Sequence, residues 1–265
     1  REMKRRRISN RRPRVKTEPA MPRSRSPSSA TRLALALALV LGFGAAGALA
    51  ANVAGAVTHL SGMLLAKKTD GTSRILAQKS EVIVGDTLAT AENSYARVKF
   101  TEGGEVTLRP NTQFEVREYS YQPDKPEGDN IVLALAKGGL RAITGLIAKR
   151  NQTKVQIHTI SGTIGIRGTA LGALQCNNDC GNIRTAAGTV PENGLHTDVS
   201  VGAISFTNNT GTQIYTAGQF GHIRDLDTVP VIVPPTAAPQ PPPPPGRFDT
   251  GRAGVGRSSA NECVI

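Results

Sequence analysis

The sequence predicts an all-β fold of short strands and hairpins, arranged as a stacked, solenoid-like or sandwich-like domain. Three observations carry this. Apolar and polar residues alternate at period two in several short runs; in YARVKF (95–100), Ala96, Val98 and Phe100 interleave with Tyr95, Arg97 and Lys99. Gly, Asn and Asp, residues that suit tight turns, separate the runs. No segment carries a convincing amphipathic-helix period.

Residues 1–50 read as a basic leader and a signal peptide. The chain has 265 residues with 32 Lys/Arg and 20 Asp/Glu; residues 1–32 hold 12 and 2 of these, leaving 20 against 18 elsewhere. Of the net charge of +12, +10 therefore belongs to the leader and only +2 to the rest. Nucleic-acid binding needs a basic face on a folded domain, so that class is excluded. Arg23, Arg25 and Arg32 precede the apolar run LALALALVLGFGAAGALA (33–50), which ends in Ala48-Leu49-Ala50. A charged region, an apolar region and an A-x-A site make up a secretory signal peptide, with cleavage expected between Ala50 and Ala51. Met21 would start a leader of ordinary length, and Met3 is another available start. The alternative is an uncleaved leader that anchors the chain in a membrane, the only membrane contact expected.

Residues 51–228 carry the β pattern. Its runs are VIVGDTLAT (82–90), YARVKF, EVTLRP (105–110), QFEVREY (113–119), IVLALA (131–136), KVQIHTI (154–160), VGAISFTN (201–208) and TQIYTAG (212–218). In QFEVREY, Phe114 and Val116 oppose Glu115 and Arg117. GLRAITGLIAKR (139–150) is ambiguous: Leu140, Ile143, Leu146 and Ile147 fall at helical spacing, yet a strand bent at Gly145 fits equally. Gly62 and Gly71, like Gly202 and Gly211, bracket a strand and a polar turn nine residues apart, a weak repeat that favours stacked hairpins. Residues 229–265 read as a linker and tail. VPVIVPPTAAPQPPPPPG (229–246) favours polyproline II, and residues 247–265 lack a hydrophobic pattern.

The order of motifs from Val82 to Leu171 resembles the FecR domain family. The residues that carry it are Val84-Gly85-Asp86-Thr87-Leu88, Ser94-Tyr95-Ala96-Arg97-Val98-Lys99-Phe100, Leu108-Arg109-Pro110-Asn111-Thr112, Gly138-Gly139-Leu140-Arg141 and Thr163-Ile164-Gly165-Ile166-Arg167-Gly168-Thr169. Weaker agreement extends from about 57 to 224. Glu102-Gly103-Gly104 stands where the family pattern has Asp-Gly-Ser. The family's signalling regulators also carry a cytoplasmic helical domain that grips a sigma factor, and residues 1–32 have no such pattern. The resemblance therefore implies the exported binding module without the anti-sigma role. Gly85, Asp86, Gly168 and Thr169 are expected at tight reversals, and Arg167 is expected to pair with a carboxylate or carbonyls between layers. Anion binding by Arg167 is the alternative.

No catalytic pattern emerges. His59, His158, His196 and His222 are dispersed, and no nucleophile elbow, Walker loop or H-E-x-x-H occurs. The glycine-rich GTIGIRGTALG lacks dinucleotide spacing. Cys176 and Cys180 are expected to form a local disulfide in an oxidising compartment, with Cys263 outside it. A metal site would lack two zinc ligands, while calcium binding by Asn177, Asn178, Asp179 and Asn182 has no EF-hand spacing. With no Trp and 4% aromatic residues, stacking platforms for sugars are few. The sequence therefore leads to a periplasmic or secreted, non-enzymatic protein without cofactor, whose partner is another protein or an envelope polymer. A structural or adhesive envelope component, and a membrane-anchored signal relay, are the alternatives.

Overall fold

The computed structural model describes residues 52–239. The leader, the Ala50/Ala51 cleavage site, most of the proline run and Cys263 lie outside the described residues.

Among the described residues, fifteen strands form one mixed sheet with no closed barrel. The first eight are β1 (Val53–Ser61), β2 (Leu64–Lys67), β3 (Ser73–Leu76), β4 (Glu81–Ile83), β5 (Thr87–Thr90), β6 (Tyr95–Phe100), β7 (Glu105–Leu108) and β8 (Gln113–Ser120). A long β9 (Asn130–Ile143) leads into one helical turn, α1 (Leu146–Arg150). The remainder are β10 (Val155–Thr159), β11 (Gly162–Cys176), β12 (Gly194–Asn208), β13 (Gly211–Thr216), β14 (Phe220–Ile223) and β15 (Val231–Val233). The all-β expectation holds.

Three long strands carry the sheet from one part of the molecule to another. The first half of β9 pairs with β8 and with β10, its parallel partner; the second half pairs with β7 and β11. β11 leaves β10 after Gly165 and joins β9 from Ala170 onward, while β12 follows it throughout. β12 in turn pairs with β14 in its first half and β13 in its second. Each of these strands has a glycine at positive φ where its partner changes: Gly138 (75°), Gly168 (65°) and Gly202 (77°). Residues from both halves, such as Leu135 and Leu140 of β9, enter one core cluster. The sheet thus passes from one set of partner strands to the next through these long strands and not through loops.

Local sequence explains the strand faces and their exceptions. In β8, Phe114 and Val116 are fully buried while Glu115 and Arg117 face out and pair at 2.9 Å. A register shift between Val116 and Glu118 then leaves both Arg117 and Glu118 exposed and turns Tyr119 inward. In β6, Arg97 is 8% exposed despite its place on the polar side, because β1 and β7 flank it with His59 and Thr107. The ambiguous 139–150 stretch is strand and helix in turn: β9 ends at Ile143, and α1 begins after Gly145 with Ile147 and Ala148 buried.

The buried Glu102 explains the departure at 102–104. One carboxylate oxygen accepts the Gly104 N–H at 2.9 Å, and the other accepts the Ile147 N–H of α1 at 3.2 Å. A distant side chain thus satisfies a donor that the helix cannot. A Cβ on Gly104 or Gly145 would overlap that carboxylate, so both positions exclude side chains.

Ordered structure continues past residue 228, where the sequence pattern placed the domain end. Val231–Val233 pairs with β14, and residues 234–239 form a strap. Ala186 and Ala187 donate N–H groups to Ala238 and Thr236, and Thr185 bridges to Pro239. Proline lacks a donor, yet its neighbours still offer carbonyls, so a proline-rich segment can dock as an outer strand.

Candidate binding cleft

A polar cleft of about 390 Å³ opens between the turn before β6, the β7–β8 turn, the joint of β9 and the loop after β11. Buried hydroxyls hold two of these segments together. Thr112 Oγ1 donates to the Gly139 carbonyl and accepts the Gly139 N–H, both at 3.0 Å. Thr90 Oγ1 donates to the Arg109 carbonyl at 2.6 Å and accepts the Thr112 N–H at 2.9 Å. Asn93 and Asn111 sit at the rim with φ of 58° and 55°, a left-handed conformation that asparagine tolerates.

The loop that forms the remaining wall is pinned at its base. Cys176 and Cys180 are bonded at 2.03 Å with Cα atoms 5.5 Å apart, beside Leu174 and Ile183. The asparagines here serve turns. Asn178 and Asn193 exchange two bonds of 2.8 Å, and Asp179 Oδ1 accepts the Asn177 N–H. Among the described residues no group of three His, Cys, Asp or Glu is placed to hold a metal.

The lining is rich in cations. Arg109, Lys137 and Arg184 line the cleft together with Asp179, the one carboxylate among the lining residues. Lys137 and Asp179 approach to 3.7 Å, both partly exposed. Burial lowers the pKa of Arg109, opposed by Tyr95 and Asp198, yet its starting point of 12.5 leaves it charged at neutral pH. Sequence reading missed this cluster because the three cations come from segments that only the fold brings together.

The family-motif residues are placed elsewhere. Gly85 (φ 86°) and Asp86 lie in the turn between β4 and β5, where the Asp86 N–H donates to the Ile83 carbonyl at 3.1 Å. The Asp86 carboxylate, fully buried, pairs with Arg74 and accepts the Ile83 N–H at 2.8 Å. Gly168 and Thr169 do not reverse the chain; they form the bulge at which β11 changes partners. Thr169 locks it, donating to the Ala203 carbonyl at 2.7 Å, while its N–H donates to Thr144 Oγ1 at 2.8 Å. The Arg167 side chain is exposed, with no side-chain hydrogen bond or ion pair among the described residues, so it does not show the expected pairing with a carboxylate or carbonyls. It lines a shallow groove of about 210 Å³ with Gln156, Thr163 and Ser205. The glycine-rich run around it is strand β11, not a phosphate cradle.

Two of the dispersed histidines meet. His196 and His222 are register partners across β12 and β14, their rings stacked at 4.5 Å. Each Nε2 donates to a backbone carbonyl, of Glu192 and Asn193 respectively. His158 lies 3.3 Å from Thr163 on an outward face.

Residues 86–190 match the family model described as FecR protein. All of the cleft lining falls within that span. No curated protein matches the sequence. Solved structures similar to the chain include two of a candidate anti-sigma factor from Parabacteroides distasonis. They show TM-scores of 0.42 and 0.41, with 9% and 8% identity. In both cases the match covers 56% of this chain and 58% of theirs, so it spans little more than half of either.

Proposed function

Starting from a FecR-family domain at residues 86–190, we propose that the chain is an exported binding module without catalytic activity, acting in envelope signalling. It works in the periplasm or outside the cell, where its partner is a protein or an envelope polymer. The observation that carries this reading is the cleft itself. It is an open, polar concavity of about 390 Å³ with converging cations, held by buried threonine hydroxyls and a disulfide, and it lies inside the family match. Such a site offers preorganised contacts for recognition.

Crosslinking in intact cells followed by pull-down tests the proposal. Recovery of one specific membrane protein supports signalling, whereas recovery of wall or surface polymer would shift the reading to a structural envelope role. Turnover of an envelope substrate that is lost on His158→Ala would overturn it.

A further inference from the structure

We propose that the cleft between the β7–β8 turn, the β9 joint and the disulfide loop takes an acidic, extended peptide segment of a partner protein. The inference rests on the binding-module reading and names the chemistry of its ligand.

Cations reach the cleft from three separate segments: Arg109 from the turn, Lys137 from β9 and Arg184 from the disulfide loop. Beyond the first 32 residues the chain holds 20 Lys/Arg against 18 Asp/Glu, so this local excess does not follow from a basic surface. Lys137 and Arg184 have capacity for a ligand carboxylate. The Lys137–Asp179 pair is partly exposed and 3.7 Å long, the kind of contact that contributes little and is readily shared. Arg184 donates through Nη1 to the carbonyls of Gly181 and Ile183 and has no carboxylate partner among the described residues. Its guanidinium fork can still accept a carboxylate side on.

The neutral lining selects a peptide over a free anion. Asn93, Asn111 and Asn182 each carry an amide donor and a carbonyl acceptor, the complement of a peptide main chain. None of the three makes a side-chain hydrogen bond among the described residues. Phosphate or acetate would satisfy the cations and leave these groups to water. A nucleic-acid strand would need stacking platforms, and Tyr95 is the one aromatic in the lining.

The test is fluorescence anisotropy on the full chain at physiological salt, with a labelled Gly-Glu-Gly-Glu-Gly peptide and its Gln and Lys analogues. The Glu peptide is expected to bind at least tenfold more tightly than either analogue. Lys137→Gln combined with Arg184→Glu, both exposed positions, is expected to weaken that binding at least tenfold with the melting temperature unchanged. Equal binding of the Glu and Gln peptides, or equal binding to the variant, overturns the inference. Displacement by inorganic phosphate at the concentration of the peptide would assign the cleft to free anions and also overturn it. If wild-type protein crosslinks a partner in cells and the variant crosslinks it equally, the peptide site fails and the binding-module reading stands. If wild-type protein crosslinks none, the binding-module reading itself fails.

Discussion

Asp86 and Glu102 are both buried carboxylates, stabilised by different means. Glu102 is held by N–H groups from its own turn and from α1, while Asp86 has the guanidinium of Arg74 and the Ile83 N–H. Removing the Asp86 carboxylate leaves that donor without an acceptor and Arg74 without its counter-charge. Because the Arg74 side chain is 35% exposed, it can turn toward water, which limits the loss. Asp86→Ala should therefore cost about 2–3 kcal/mol, read as a lower urea midpoint at an unchanged slope. Asp86→Asn, which keeps an acceptor, should cost less. A second prediction concerns His196. Its Nε2 proton is committed to the Glu192 carbonyl, and Nδ1 is buried with no hydrogen-bond partner, so protonation has nowhere favourable to go. Burial, and secondarily His222, hold its pKa below the ordinary 6.5. As pH falls through about 6.5 the unfolded chain takes up a proton that the folded chain resists, so stability must drop. Melting temperature should fall from pH 7.5 to 5.5, and His196→Gln should flatten that slope; an equal slope in the variant would assign the effect elsewhere. Asp198, raised above 3.8 mainly by its burial, acts in the opposite sense over a window that begins at that lower pH.

At the scale of the element, the joints of β9, β11 and β12 carry the sheet from one set of partner strands to the next. Gly202 lies against Gly168, so that a Cβ on Gly202 would overlap the Gly168 carbonyl oxygen, while a Cβ on Gly168 would meet open space. Both have positive φ. Gly202→Ala should then cost at least about 2 kcal/mol through strain and overlap together. Gly168→Asn should cost less than about 1 kcal/mol, since asparagine tolerates that backbone and nothing obstructs it. Similar losses at the two sites would mean that close approach plays no part. These joints also mark where the sequence ceased to be legible. Period-two alternation identified the strands, and Asp86 was read correctly as a turn residue. Gly168-Thr169 was read as a reversal because a left-handed glycine serves turns and bulges alike. What distinguishes the two is a partner strand more than thirty residues away.

The whole molecule was legible in its class and not in its extent or its site. The cleft escaped because its cations are distributed from Arg109 to Arg184, and no local window contains the cluster. Proline content argues against strands, yet Val231–Val233, beyond residue 228, needs only one hydrogen-bonded edge to pair with β14. This yields a prediction about length. Residues 229–239 cover β14, whose neighbour Tyr215 is fully buried and donates its hydroxyl to the Val231 carbonyl. Burial pushes that phenol up to about 12, so it remains a donor at any physiological pH. The same segment receives the Ala186 and Ala187 N–H groups and buries Ala238 beside the Arg109 side of the cleft. A chain truncated after Thr228 loses these bonds, each worth about 1 kcal/mol net, and opens the Tyr215 side chain to water. A chain truncated after Gln240 keeps them. The shorter form should melt several degrees lower and show faster amide exchange at Thr185–Ala187, next to the cleft wall. Equal melting temperatures and equal exchange would return the domain boundary to residue 228 and leave the strap without a structural role.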